Sequence, residues 1–109
     1  MAREKVFKFT NNKGETIEVE FISCEYDAKN PHSLPRLWKK SGYVSEIFSR
    51  YIWAETYVTG KDGFCWSRYN PQQKTNEAGR TVINFDYVME DTAENRRELL
   101  AEIVRRAMA

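Results

Sequence analysis

Hydrophobic and polar residues alternate strictly at two places near the start of the chain. In residues 5–9 Phe7 and Phe9 share one face, and in residues 16–21 Ile17, Val19 and Phe21 do. Lys8, Glu18 and Glu20 take the opposite faces, which is the period-2 signature of half-buried antiparallel strands. Asn11-Asn12-Lys13-Gly14 between them has the chemistry of a turn, with Gly14 free to adopt positive φ. After Ile22 the alternation drifts, and residues 27–35, with two prolines, read as a loop.

The period changes at SLPRLWKKSG, residues 33–42, which predict a short helix. Ser33 suits its cap, Pro35 its first turn and Gly42 its end. Leu34, Leu37 and Trp38 fall on one side at i, i+3 and i+4, while Lys39 and Lys40 lie in the last turn, where the helix dipole favours cations. Residues 43–48 carry no assignable pattern.

RYIWAETYVTGKDGFCWSRYNP, residues 50–71, predicts a second hairpin, and its turn decides which way the rings point. A three-residue Lys61-Asp62-Gly63 loop sets Gly60 opposite Phe64. Ile52, Ala54, Val58, Phe64 and Trp66 then share one face, with Tyr51, Trp53, Tyr57, Cys65 and Tyr69 on the other. A two-residue Asp62-Gly63 loop shifts the register by one and gathers Tyr51, Trp53, Tyr57, Phe64 and Trp66 together. The first is preferred because it makes one face purely core-like. Residues 70–80 are polar and read as a loop, and residues 81–88 as a strand with Ile83, Phe85 and Tyr87 on one face. Asp91 with Glu94 forms a capping pair for a last helix whose apolar stripe is Leu100, Ile103, Val104 and Ala107, joined by Leu99. The expected architecture is a single α+β domain over residues 1–109. It has an antiparallel sheet of about five strands, in the order ββ-short α-βββ-α, and the C-terminal helix packs on one face.

Composition fits such a domain: 41% of the residues are hydrophobic and 30% charged, outside the disordered range. No apolar run reaches membrane-spanning length and MAREKVFKFT lacks the apolar core of a signal peptide, so a cytoplasmic protein without membrane contact is expected. Cys24 and Cys65 read as buried thiols rather than a disulfide. The net charge of +1 is unevenly spread, because residues 33–80 hold eight basic and four acidic side chains.

Recognisable catalytic equipment is sparse. The single histidine, His32, stands in the loop NPHSLP, and neither Cys24 nor any serine occupies a nucleophile-elbow sequence. Cysteine and histidine together are too few, and wrongly spaced, for structural zinc. Asp86, Glu90 and Asp91 precede a helix, where carboxylates serve as caps. The five glycines fall in separate turns and form no phosphate cradle. Neither a cofactor nor a metal is expected. On the last helix, Glu94, Glu98 and Glu102 interleave with arginines and neutralise them.

The aromatic hairpin remains. Tyr51, Trp53, Tyr57 and Tyr69, edged by Arg50, Lys61 and Arg68, make a candidate binding surface. Such rings suit a protein partner or a second copy of the chain, because Tyr, Trp and Arg dominate interface hot spots. They also suit single-stranded nucleic acid, with bases stacked on the rings and Lys39, Lys40, Lys61 and Arg68 on phosphates. Alternatively, Leu34, Leu37 and Trp38 of the short helix cover them as a second small core. The expected function is non-catalytic binding through this face, a protein partner coming first and nucleic acid second. A small enzyme whose site assembles only in the fold is the third reading.

Overall fold

A computed structural model describes residues 2–42, 44–59, 65–67, 73–75, 81–83 and 88–108, with the backbone alone for 59, 65–67, 73–75 and 81–83. Strands β1 (Ala2–Thr10) and β2 (Thr16–Glu25) form the first hairpin, closed by the Asn11 side chain. Its Oδ1 accepts the backbone N–H groups of Lys13 and Glu15 at 3.0 and 2.9 Å, and Gly14 turns the corner at φ +76°. Along β1 the pairing shifts by one residue at Val6, so Lys5 faces Glu20 while Phe7 faces Val19.

Strand β3 (Arg50–Thr59) pairs with β2 along its whole length, from Thr16 opposite Thr59 to Glu25 opposite Arg50. The far edge of β3 is shared end to end by two short strands. β4 (Cys65–Ser67) pairs with its last residues, and a two-residue strand at Met89–Glu90 pairs with Tyr51 and Ile52. The antiparallel sheet is therefore four strands across. In the β3–β4 register Trp66 stands opposite Val58 and Cys65 opposite Thr59, the register implied by the preferred three-residue loop. The turn itself, residues 60–64, lies outside the described residues.

Two expectations are corrected at this edge. Residues 73–75, expected in a loop, form β5 (Gln73–Thr75), and it pairs with β6 (Thr81–Ile83) in a separate two-stranded sheet. The strand expected over 81–88 thus does not extend the main sheet, because β4 and the strand at Met89–Glu90, here β7, already occupy that edge of β3. Its residues 84–87, including Phe85, Asp86 and Tyr87, lie outside the described residues.

Helix α1 (Leu34–Lys40) starts after Ser33 and ends at Ser41, with Gly42 at φ +79°. Pro35 stands in its first turn and lacks an N–H, and the buried Ser33 hydroxyl has no hydrogen-bond partner among the described residues. The helix turns Pro35 and Trp38 inward and leaves Leu34 and Leu37 exposed, so of the three apolar residues read on one side only Trp38 covers the rings. Helix α2 (Ala93–Met108) is capped one residue later than expected. The Thr92 hydroxyl accepts the Asn95 N–H at 3.1 Å, which leaves Asp91 to receive both Arg96 Nε and Nη2, at 2.6 and 2.9 Å.

The two faces of the sheet carry two cores. Under α2, Val19, Phe21, Ile52 and Ala54 pack with Leu99 and Ile103, and Ile17 and Val58 with Ala107. At one end of the opposite face, Cys24, Tyr51 and Val88 pack with Trp38 of α1, joined by the half-buried Val44, Phe48 and Trp53. This double coverage explains why alternation fails after Ile22. Phe21, Ile22, Ser23 and Cys24 are all buried, so the strand end has no polar side.

Candidate functional site: the sheet face opposite the long helix

On this face β3 presents Tyr51, Trp53, Glu55 and Tyr57, paired across β2 with Cys24, Ile22, Glu20 and Glu18. β1 adds Arg3, Lys5 and Lys8. The face divides into a covered half and an open half.

Tyr51 is the centre of the covered half and is fully buried. Its ring meets Trp38 edge-on at 5.4 Å and Phe48 at 5.5 Å. Its hydroxyl donates to the Glu46 carbonyl at 2.9 Å and accepts the Phe48 N–H at 3.0 Å, tying residues 44–48 across the sheet as a strap without regular structure. Burial pushes the Tyr51 hydroxyl's pKa up, and likewise that of the Cys24 thiol, a free and buried cysteine. The second Trp38 contact is with Trp53, at 5.5 Å and nearly perpendicular, and Trp53 stays half-buried at the margin. The platform expected at Tyr51 is therefore internal packing.

The open half is a ladder of charge. Arg3 Nη1 lies 2.9 Å from Glu55 and 3.6 Å from Glu20, which faces Glu55 across the β2–β3 pair. Tyr57 donates its hydroxyl to the same Glu55 oxygen. Burial pushes the Glu55 carboxyl up, but hydrogen bonds from Arg3 and Tyr57 outweigh it and leave the group below the usual carboxylate range. Burial and the Glu55 carboxylate together raise the Tyr57 hydroxyl. Lys8 and Lys5 approach Glu18 at 3.8 and 4.0 Å. Sequence reasoning missed Arg3 and Glu55 as partners because Arg3 lies before the strand predicted from residue 5. The signal was nonetheless present in the basic positions of β1 beside the acidic ones of β2.

The other expected site residues separate. Arg50 lies on the α2 side, because neighbours along a strand face opposite ways. It bonds Glu25 at 2.9 Å and approaches Asp91 at 3.8 Å, so it does not edge the rings. Lys61, Arg68 and Tyr69 lie outside the described residues. His32 is exposed in its loop.

Beyond the covered half, a groove of about 420 Å³ opens between the end of β2, the following loop and α1, lined in part by Cys24, Glu25, Asp27, Leu34 and Pro35. Among the described residues no group of His, Cys, Asp and Glu is placed to hold a metal ion, and no helix is long and apolar enough to cross a membrane. No protein family, curated protein or solved structure matches this chain.

Proposed function

We propose that the domain works by binding rather than by catalysis, and that the open half of the sheet face docks a protein, a second copy of the chain being the first occupant to test. The observation that carries this reading is the pair Trp53 and Tyr57. Both are half-buried, both stand on β3, and Glu55 between them is already held by Arg3. Aromatic anchors beside pre-oriented charges match the composition of interface hot spots, and a preformed network lowers the cost of ordering on association. A second copy fits because the face has a basic strip on β1 and an acidic strip on β2 and β3. A two-fold axis parallel to the strands, in the interface plane between the strips, sets each basic strip over the other copy's acidic one. The raised pKa of the buried Cys24 thiol also favours binding over nucleophilic chemistry.

Single-stranded nucleic acid on the same rings is the competing reading, and Glu18, Glu20 and Glu55 in the middle of the face weigh against a polyanion. Sedimentation velocity from micromolar to near-millimolar protein tests the proposal. Self-association that Tyr57→Ala weakens, with the circular dichroism spectrum unchanged, supports it. A chain that stays monomeric while single-stranded DNA quenches its tryptophan fluorescence, less so at higher salt, replaces it with the nucleic-acid reading.

A further inference from the structure

Most cations of the sheet and α2 have an acidic partner, whereas among the described residues those around α1 have none. Arg3 reaches Glu55, Lys8 reaches Glu18, Arg50 reaches Glu25, Arg96 reaches Asp91 and Arg105 reaches Glu102. From residue 28 to residue 45 the chain holds four cations and no carboxylate. Among the described residues Lys29, Lys39 and Lys40 have no acidic partner. Arg36 spends its guanidinium on neutral oxygens, the Tyr26 hydroxyl at 3.0 Å and the Ala28 carbonyl at 2.8 Å. The dipole of a seven-residue helix favours lysines in its last turn without neutralising them.

The same surface exposes apolar side chains. Leu34 and Leu37, one helical turn apart, are 42% and 39% exposed, while Pro35 and Trp38 hold the inner side of α1. Leu34 also forms a wall of the groove, which gives an incoming apolar side chain a place to enter. The groove is also lined by Asp27 and the Glu25–Arg50 pair, whose net charge is negative, so the anionic part of any ligand belongs over the Lys39–Lys40 end.

We propose that the outer face of α1 is a docking surface, separate from the open sheet face, for an acidic, leucine-bearing segment of a partner protein. Its carboxylates meet Lys39 and Lys40 and its apolar side chains cover Leu34 and Leu37. The leucines decide for a peptide over nucleic acid, because a phosphate chain satisfies the lysines and leaves both leucines in water.

The test is a fluorescence-anisotropy titration of the whole chain with a labelled peptide of Leu-Leu-Glu-Glu repeats. Controls are the same peptide with lysine for glutamate, and mixed-sequence single-stranded DNA. Saturable binding of the acidic peptide alone is expected. Lys39→Glu with Lys40→Glu weakens it by about tenfold or more, and Leu34→Ser with Leu37→Ser by about fivefold or more. All four side chains are exposed, so both variants stay folded, the glutamate variant melting slightly lower because its charges oppose the helix dipole. Tyr57→Ala leaves peptide binding unchanged, which separates this surface from the sheet-face proposal. Failure of the acidic peptide to saturate, or equal binding of the lysine peptide, overturns the inference. So does DNA binding that ignores the leucine substitutions.

Discussion

The two halves of the face opposite α2 are built on the same pair of strands and solve opposite problems. At one end β2 and β3 present Ile22, Cys24, Tyr51 and Trp53, a surface that water solvates poorly, and the chain spends α1 and the 44–48 strap on covering it. At the other end they present Glu18, Glu20, Glu55 and Tyr57, and three basic side chains of β1 suffice. The first half draws its stability from burial and the second from local pairing in contact with water. Substitutions in the two halves should therefore differ in size, in kind and in sensitivity to salt.

The largest effect is expected at Tyr51. Tyr51→Ala removes a fully buried ring together with both strap hydrogen bonds, and should lower the urea-unfolding free energy by about 4 kcal/mol. A loss below about 1 kcal/mol would show that the covered half contributes little to the fold. Next comes Trp38→Ala, at about 3 kcal/mol. Hydrogen exchange should quicken in α1 and residues 44–48 while the middle of α2 keeps its protection. Equal loosening on both faces would mean that the two cores are one cooperative unit. A smaller change, about 1–2 kcal/mol near neutral pH, is expected for Asp91→Asn, which breaks the paired bonds to Arg96. Arg96 chiefly, with Arg50, holds the Asp91 carboxyl below its usual range. Its stabilisation is thus complete above the ordinary aspartate value of about 3.9 and is lost as the pH falls through the lower folded value. Melting curves of Asp91→Asn should accordingly converge on those of the parent at strongly acid pH, and a gap that persists there would rule out the ion pair as the cause. The smallest effect belongs to the open half. Lys8→Ala removes an exposed pair with Glu18 and should change stability by no more than about 0.5 kcal/mol, still less at high salt.

The same contrast explains which parts of the fold were legible in the sequence. A face that meets water on one side writes its period into the chain, so the hairpin of β1 and β2 and the Leu99–Ile103–Ala107 side of α2 could be read directly. The register of β3 against β4 was also readable, from turn chemistry and the demand for one apolar face. Where both faces are covered the period vanishes, so the end of β2 from Ile22 to Glu25 carried no alternation from which the strand could be read. The orientation of α1 was ambiguous because Leu34, Leu37 and Trp38 are all apolar. It is settled by Trp38 fitting edge-on against Tyr51 and Trp53, a contact between residues distant in sequence. The binding face was legible as a list of rings but not as a surface. Whether Tyr51 faces water depends on what lies over it, and a strand's own sequence does not record that. The Arg3–Glu55 pair joins residues 52 positions apart and needs the strand order before it can be seen.

The shift at Val6 makes the open half depend on a backbone irregularity as well as on its side-chain chemistry. In an uninterrupted strand residues 3, 5, 7 and 9 would point the same way, and Arg3 and Lys5 would lie beside Phe7 and Phe9 on the α2 side. The extra residue reverses the phase, so that both cations stand with Lys8 on the face that holds Glu20 and Glu55. Deleting Val6 itself would straighten the strand and keep Lys5 opposite Glu20 and Phe7 opposite Val19, so the ladder would persist; an insertion or deletion between Arg3 and Lys5 would instead turn Arg3 toward the apolar packing beneath α2. The bulge at Val6 is therefore what lets Lys5 and Lys8, an odd number of residues apart, stand on one face of a strand.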